Sequence, residues 1–329
     1  MLRTEIMDGE QAIARGAERI RGGDVVAFPT ETVYGLGADA FDRDAIRKIY
    51  AAKGRPSDNP LIVHVADKSQ IDELARTVSL QARTVIDAFM PGPITIILPR
   101  AACVPDCVTA GLDTVGIRMP AHPVAQAFLR ACGTPVAAPS ANRSARISPT
   151  SARHVYEDMQ GRIGLIIDGG ACDVGIESTI VDLSGDTPII LRPGAITPQM
   201  LADALGRVET FAGEVVVARA PGMKYKHYAP DCPMVTCADR EKAFAAYDRI
   251  AAQGGRPILL CGTDWTDAAD GRRLICLGDD ARAVMRNIYD ALHRAQAQAD
   301  YIVCQDFGDR GAYASVMNRV RKASGGNAL

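Results

Sequence analysis

Short runs of β-branched and other apolar residues recur along this 329-residue chain, and they constrain its fold more than any other feature. Several runs are bounded by proline, as in LIVHV at 61–65 and ITIIL at 94–98. A continuous apolar run of this length with such borders is typical of a buried strand. Further strands are predicted at 25–28, 115–119, 135–138, 164–168, 178–183 and 188–191.

Segments with helical spacing separate these runs. They lie at about 8–21, 42–52, 68–89, 122–132, 149–159 and 197–205, and Asp8 is a candidate N-cap for the first helix. Strands interleaved with helices predict an α/β architecture around a large, partly mixed sheet over residues 1–210.

The last hundred residues repeat this alternation on a smaller scale. Strands at 234–237, 257–261 and 301–305 alternate with helices at 239–253, 279–298 and 312–323. This spacing predicts a small Rossmann-like parallel α/β domain over 234–329. Residues 211–233, with three prolines and no helical period, are interpreted as a long linker.

Composition excludes several classes of protein. Apolar residues make up 47% and charged residues 23%, which rules out a disordered or collagen-like chain. The formal net charge is -2, so a dedicated duplex-binding domain is not expected. Nine cysteines show neither C-x-x-C pairs nor zinc-finger spacing, which indicates reduced thiols. The N-terminus lacks the apolar run of a signal peptide and no apolar stretch reaches membrane-spanning length, so we expect a cytoplasmic protein.

Common catalytic motifs are missing from the sequence. It contains no Walker loop, no G-x-S-x-G elbow and no H-E-x-x-H pair. GLGADA at 35–40 matches the dinucleotide fingerprint, but it begins seven residues after the strand at 25–28. We therefore interpret its glycines as loop residues that permit close packing. By elimination, we expect group transfer that stabilises anions without a side-chain nucleophile.

The segment KGRPSDNP at 53–60 brings two cations and small polar side chains into a loop stiffened by proline. Such a loop can present fixed positive charge to a polyphosphate, and a solvated turn is the alternative. A second polar segment, PSANRS at 139–144, follows a predicted strand, where α/β sheets commonly bind ligands. Ser148 follows it and could instead cap the helix predicted from 149.

Three further polar side chains lie within or directly after predicted strands. Arg118 interrupts one apolar strand and Arg192 follows another, and a charge at such a position needs a partner or a ligand anion. His64 lies inside the run LIVHV, where it is either a satisfied core histidine or a ligand-binding residue.

Taken together, these segments resemble the threonylcarbamoyl-AMP synthase family, the YrdC-like enzymes. The motifs that carry the resemblance are FPTETVYGLGADA (28–40), KGRPSDNPLIVHV (53–65), PGPITIIL (91–98), VGIRMPAHP (115–123), APSANRSARISPT (138–150) and IESTIVDL with ILRPGAIT (176–197). PGMKYKHYAP at 221–230 and the C-terminal segment resemble the longer, two-domain branch of that family. The resemblance implies a YrdC-like twisted mixed sheet with flanking helices in the first domain.

The resemblance also implies individual roles. Lys53 and Arg55 would act on the triphosphate as catalytic cations. The residues expected to bind L-threonine are Thr32, His64, Arg118, Ala138 and Ser178. Those expected to bind ATP are Arg55, Asn59, Thr114, Ser140, Ser148, Arg192 and Tyr225. No metal-ligating residues are expected, because Mg²⁺ would be carried by phosphate oxygens.

The implied reaction converts L-threonine, bicarbonate and ATP to threonylcarbamoyl-AMP and pyrophosphate, the first step of threonylcarbamoyl modification of tRNA. A separate transferase complex would take the product, so at most weak tRNA contact is expected. The linker, with Tyr225 and Tyr228, would close over the site as a lid. Two alternatives remain: another ATP-using carbamoyl or acyl-adenylate transferase, and a non-catalytic RNA-binding or ribosome-maturation module.

Overall fold

The structure, a computed structural model, describes residues 2–211 and 228–329. These residues form two compact units. The first contains 2–144, 149–173 and 177–211, and the second contains 145–148, 174–176 and 228–329. Two short segments from within the first domain's sequence therefore belong to the second unit. Most of the predicted linker at 211–233 lies outside the described residues.

The first unit is built on one mixed sheet of eleven strands in the order β1-β8-β2-β3-β7-β4-β6-β5-β9-β10-β11. The strands are β1 (Glu5–Met7), β2 (Val26–Phe28), β3 (Gly35–Asp39), β4 (Ile62–His64), β5 (Ile94–Pro99), β6 (Thr114–Arg118), β7 (Val136–Ala138), β8 (Leu165–Ile167), β9 (Thr179–Asp182), β10 (Ile189–Arg192) and β11 (Glu209–Thr210). The helices are α1 (Gly9–Arg21), α2 (Arg43–Lys53), α3 (Ser69–Leu74), α4 (Leu80–Phe89), α5 (Asp106–Thr109), α6 (Pro123–Cys132), α7 (Ala152–Met159) and α8 (Pro198–Leu205). The predicted mixed α/β sheet is confirmed.

The two faces of this sheet are covered differently, because successive side chains of a strand point to opposite faces. Alternate residues such as Val63, Ile117 and Ala137 join the main core with side chains of α2, α3, α4, α7 and α8. The other face is covered by α1 and α6 over β2, β7 and β8. Farther along this second face, a small apolar cluster of Ile62, Ile97, Ile180 and Leu191 lies beside polar side chains.

Residues 35–39 form a strand, so the prediction of a loop there was wrong. β3 pairs antiparallel with β2 and β7, and it is not a strand-to-helix turn of the kind that binds dinucleotides. The expected close packing is present: a Cβ on Gly37 would lie 2.6 Å from Val136 Cγ1. Glycines have low strand propensity, and here pairing on both sides stabilises the strand.

Three helix predictions need correction. The helix expected at 68–89 is two helices, α3 and α4, and the Ser79 side chain accepts a capping bond from Ala82 N at 3.2 Å. α7 begins at Ala152 with Ser151 as its capping residue, so Ser148 does not cap it. The predicted cap of α1 is right in position only: Asp8 is the N-cap residue, but its side chain makes no capping hydrogen bond.

The second unit contains a four-stranded parallel sheet in the order β12-β15-β13-β14. Its strands are β12 (Met234–Cys237), β13 (Pro257–Cys261), β14 (Leu274–Cys276) and β15 (Tyr301–Gln305). Its helices are α9 (Arg240–Ala252), α10 (Thr263–Thr266), α11 (Ala281–Gln296) and α12 (Tyr313–Ala323). The predicted small parallel domain is confirmed, and β14 was missed because it is three residues long and half open to solvent.

All nine cysteines are free thiols, and five of them are buried. In the described parts of the chain, no helix combines the length and apolar character needed to cross a membrane.

Candidate active site

Strand register brings several predicted site residues onto one face of the large sheet. His64 of β4 pairs with Arg118 of β6 on one side and with Val136 of β7 on the other. Two residues away on the same strands and the same face, Ile62 pairs with Gly116 and Ala138. His64 and Arg118 are therefore immediate neighbours, while Ala138 lies one row further along this face.

The next row beyond Gly116 and Ala138 contains two residues predicted for ATP. Thr114 lies two residues before Gly116, and Ser140 lies two residues after Ala138, bridged to Gly35. Asn59 precedes β4 on this side of the sheet. At about 3.3 Å per residue, Ser140 and Thr114 lie about 13 Å from the row of His64 and Arg118. Thr114 and Ser140, predicted for ATP, thus lie at the opposite end of this face from His64 and Arg118, predicted for threonine, with Ala138 between them.

Lys53 holds the loop at 139–144 in place. It is the last residue of α2 and only 3% exposed, and its ammonium donates hydrogen bonds to the carbonyls of Ser140 and Asn142. The backbone contributes as well, since Ser144 N donates to the carbonyl of Lys53 at 2.9 Å. Burial, and then the nearby charge of Arg55, lowers the pKa of Lys53 well below its usual value. The side chain thus shapes the loop that carries Ser140.

Arg55 and Asn59 form a second contact in the same region. Arg55 Nη2 donates to the carbonyls of Asn59 and Pro60 at 3.4 and 3.3 Å. The Tyr50 hydroxyl donates to the Asn59 carbonyl at 3.2 Å. The Asn59 side chain is 1% exposed, and its Oδ1 has no hydrogen-bond partner among the described residues. A buried amide oxygen left in this state is available to a ligand donor.

At the other end of the face, the Arg118 guanidinium binds the loop between β2 and β3. Nη1 donates to Thr32 Oγ1 at 2.7 Å, and Nη2 donates to Thr30 Oγ1 at 3.4 Å. Nη2 also lies 2.8 Å from Glu31 Oε1 in an ion pair whose side chains are only 5% and 7% exposed. The predicted anion-binding arginine therefore already has a countercharge.

Glu31 was missed at the sequence level, although a signal was present. It is the only charged residue between 25 and 38, a segment that is otherwise apolar or neutral. A carboxylate inside such a buried run needs a partner, and that partner is 87 residues away in sequence at Arg118.

His64 is held neutral beside Arg118. Its ring is 4% exposed and packs edge-on against Phe28, with ring centroids 5.7 Å apart. Nδ1 lies 3.1 Å from the carbonyl oxygen of Ile62. Burial, and then the positive charge of Arg118, lowers the pKa of His64 to about 3. The ring is thus a neutral hydrogen-bonding group at physiological pH.

Ser178 and Arg192 lie together beside this cluster. The hydroxyls of Ser178 and Thr95 are 2.7 Å apart, and Thr95 on β5 occupies the row next to Arg118. Arg192 donates from Nη2 to Ser178 Oγ at 3.2 Å and from Nε to the Ser178 carbonyl at 3.0 Å. Arg192 was predicted for ATP, whereas these two bonds are to a residue predicted for threonine. Thr95 was not singled out from the sequence.

The other two predicted ATP residues are Ser148 and Tyr225. Ser148 belongs to the second unit, where its carbonyl oxygen lies 3.3 Å from His293 Nε2. Tyr225 lies outside the described residues. Tyr228, the other tyrosine of the proposed lid, is buried within the second unit, and its ring centroid is 5.5 Å from that of Tyr289.

The residues around this face suit anions and neutral polar groups rather than a bare metal ion. In the described residues there is no group of three or more His, Cys, Asp or Glu side chains that could hold a metal. Arginine, lysine, threonine and asparagine side chains dominate both ends of the face.

Two family models match successive parts of the chain. Residues 18–194 match the family model Sua5_yciO_yrdC, described as "Telomere recombination". Residues 196–325 match the model described as "Threonylcarbamoyl-AMP synthase, C-terminal domain". The chain belongs to the two-domain Sua5 family. This confirms the family resemblance inferred from the motifs.

Full-length Sua5-family relatives are similar over nearly the whole chain. The threonylcarbamoyl-AMP synthase of Bacillus subtilis is 43% identical over 99% of this chain and 96% of its own length. That of Pyrococcus abyssi is 41% identical over 98% of this chain and 96% of its own length.

Solved structures show the same relation. The crystal structure of P. abyssi Sua5 complexed with L-threonine covers 99% of both chains, with a TM-score of 0.94 and 39% identity. Escherichia coli YciO matches 59% of this chain and 97% of its own, with a TM-score of 0.53 and 25% identity. YciO therefore covers little more than half of this chain, whereas Sua5 covers both units.

Proposed function

We propose that this Sua5-family chain makes threonylcarbamoyl-AMP and pyrophosphate from L-threonine, bicarbonate and ATP, acting as a nucleotidyltransferase. One observation carries the proposal: a single sheet face bears an arginine, a neutral histidine and hydroxyls at one end, and the polar loop that follows β7, held by the buried Lys53, lies beyond its other end. Full-length relatives named threonylcarbamoyl-AMP synthase and the threonine complex of P. abyssi Sua5 support it.

The end with Arg118 is assigned to L-threonine. A guanidinium suits a carboxylate fork, and the neutral His64 ring with the hydroxyls of Thr32 and Ser178 suits the substrate's hydroxyl. Ala138 lies one row away, and in this proposal its backbone completes the pocket. All five residues stay assigned to threonine in this proposal.

The opposite end is assigned to ATP. Arg55 and Asn59 supply a cation and an amide for the phosphates, and Thr114 and Ser140 lie at the same edge of the sheet. Lys53 would contribute in two ways: its ammonium holds the loop that carries Ser140, and its positive charge attracts the phosphates. Ser148, Arg192 and Tyr225 remain predicted nucleotide contacts that rest on the family motifs.

The chemistry requires positioning rather than a side-chain nucleophile. The threonine amine attacks bicarbonate and water is lost, which yields a carbamate. A carbamate oxygen then attacks the α-phosphorus of ATP, the bond to the β-phosphate oxygen breaks, and pyrophosphate leaves. Bringing two anions within reach of each other needs countercharges fixed in advance, which Lys53, Arg55 and Arg118 supply.

Magnesium and the downstream step belong to the same proposal. Mg²⁺ would arrive with ATP and be held by phosphate oxygens, since the described residues offer no carboxylate cage. We place the reaction in the cytoplasm, where a separate tRNA threonylcarbamoyl transferase complex would take the product. Direct tRNA contact would be weak at most, in line with the net charge of -2.

The test is pyrophosphate release by the purified full chain, with L-threonine, bicarbonate and ATP omitted in turn. We expect release only when all three are present. Release without bicarbonate would replace the proposal with ordinary aminoacyl adenylation. No release from a folded chain under any combination would favour the non-catalytic RNA-binding alternative, which a binding assay with tRNA would then examine.

Arg55→Ala serves as the matched variant in this assay. Arg55 Nη2 donates to the backbone carbonyls of Asn59 and Pro60, and its side chain would also supply a cation for the phosphates. We expect Arg55→Ala to keep the fold while the KM for ATP rises at least tenfold. An unchanged KM would return this loop to the solvated-turn interpretation.

A further inference from the structure

Two buried polar atoms of opposite character lie unused at the threonine end of the sheet face. Glu31 Oε1 is an acceptor and Arg118 Nε is a donor, and neither has a hydrogen-bond partner among the described residues. Their side chains are 7% and 5% exposed. Leaving a buried charged group without its hydrogen bonds is costly, so such atoms point to a missing ligand.

Both side chains are held in fixed orientations by their other atoms. Glu31 Oε2 accepts a hydrogen bond from Ala121 N at 3.1 Å. Arg118 is fixed by the two threonine hydroxyls described above, which are themselves 2.9 Å apart. Oε1 lies 2.8 Å from Arg118 Nη2 but without the alignment of a hydrogen bond. The pair is therefore preformed, and Glu31 Oε1 and Arg118 Nε still lack hydrogen-bond partners among the described residues.

We propose that Glu31 and Arg118 form a paired recognition site for the substrate's α-amino acid group, with Glu31 binding the ammonium and Arg118 the carboxylate. This inference rests on the proposed function and adds a residue to it. An α-amino acid carries one positive and one negative group on a single carbon, which matches one acidic and one basic side chain in contact. A ligand lacking either group would leave one of the two buried atoms unsatisfied.

The pairing also explains why Arg118 needs a carboxylate beside it. Without a ligand, Glu31 neutralises the guanidinium, so the site does not bury a lone charge. When the zwitterion binds, its ammonium lies beside the Glu31 carboxylate and its carboxylate lies beside the Arg118 guanidinium. The total charge in the site stays at zero. A simple inorganic anion would instead bring a net negative charge next to Glu31.

The experiment compares binding of L-threonine with binding of the analogue whose α-amino group is replaced by hydroxyl, measured by calorimetry on the full chain. We expect the native protein to prefer L-threonine at least tenfold, equivalent to about 1.4 kcal/mol. Glu31→Gln should lose most of this preference while binding the hydroxy analogue at least as tightly as the native protein does, because the carboxylate that repels this anion is gone. If Glu31 only positions Arg118, the variant binds both compounds more weakly by the same factor, and the proposal is overturned.

A second pair of ligands provides the matched control. L-threoninol lacks the carboxylate, so Arg118→Gln should lose the preference for L-threonine over L-threoninol, whereas Glu31→Gln should keep it. If Glu31→Gln does not fold, Glu31→Asp decides the question. Its shorter carboxylate lowers the preference for the amine if Glu31 binds the ammonium, and leaves it unchanged if Glu31 serves only as a countercharge.

Failure of this inference and failure of the proposed function are separate results. A native protein that does not bind L-threonine contradicts the proposed function itself. A native protein that binds and prefers L-threonine, while Glu31→Gln retains the preference for the amine, contradicts only the role of Glu31.

Discussion

Replacing His64 should change how the stability of the first unit depends on pH. The folded ring resists protonation, with a pKa of about 3, because it is buried and lies beside Arg118. In the unfolded chain the pKa of a histidine is about 6.5. Between these values the unfolded state binds more protons than the folded state, so acid favours unfolding. Stability contributed by the neutral ring is therefore present above about pH 6.5 and is lost as the pH falls toward 3.

The size of the effect follows from these two values. Each pH unit between them corresponds to about 1.4 kcal/mol. At pH 5 the unfavourable proton uptake amounts to about 2 kcal/mol, against about 0.2 kcal/mol at pH 7. The native protein should thus lose about 2 kcal/mol more than His64→Gln on going from pH 7 to pH 5.

The assay is denaturant unfolding at pH 7, 6 and 5, followed by far-UV circular dichroism. Trp265 is the sole tryptophan and lies in the second unit, so its fluorescence reports that unit separately. His64→Phe is a second non-titrating variant, and agreement between the two variants separates loss of titration from altered packing. If the native protein and both variants lose the same free energy between pH 7 and pH 5, the assignment of a buried neutral histidine is refuted.

Three further changes test other parts of the structure. Lys53→Met removes the ammonium that binds two loop carbonyls. We expect kcat/KM for pyrophosphate release to fall about a hundredfold and the free energy of unfolding to fall by about 1–3 kcal/mol. Unchanged kinetics would contradict the role of Lys53. A Cβ on Gly116 would lie 3.4 Å from its nearest neighbour, so Gly116→Ala should fold normally. Gly116→Val should raise the KM for threonine, because the larger side chain fills the sheet face. Equal KM values for the two variants would count against the site. Gly175 has a φ of +78°, and a Cβ there would lie 2.5 Å from Arg286 Cα. Gly254 has a similar φ of +84°, but the space around it is open. We therefore expect Gly175→Ala to lower the Tm measured by tryptophan fluorescence more than Gly254→Ala does. Equal shifts in the last pair would show that the close contact is unimportant.

Much of the architecture could be predicted from local patterns. The strands at 234–237, 257–261 and 301–305 have the boundaries expected from their apolar runs, because each run is continuous, buried and bordered by turn residues. The motifs around Lys53, His64 and Arg118 also identified the family and the residue types of the site, because these segments are contiguous in sequence.

Other features depend on contacts between distant parts of the chain. The strand at Gly35–Asp39 has weak local propensity and forms because partners pair on both sides. Ser148 and the segment at 174–176 belong to the second unit, although their neighbours in sequence belong to the first. A linear pattern carries no information about such assignments, because they depend on which surfaces pack together.

The site shows the same division most clearly. Apolar runs along the chain were enough to predict that an arginine, a histidine and two polar loops lie on or after buried strands. The pairing of Glu31 with Arg118, 87 residues away, and the separation of about 13 Å between two polar groups on one face follow from the folded structure alone. The reason is physical: alternation along a strand is a local property, whereas register between strands is fixed by hydrogen bonds and packing among segments far apart in the chain.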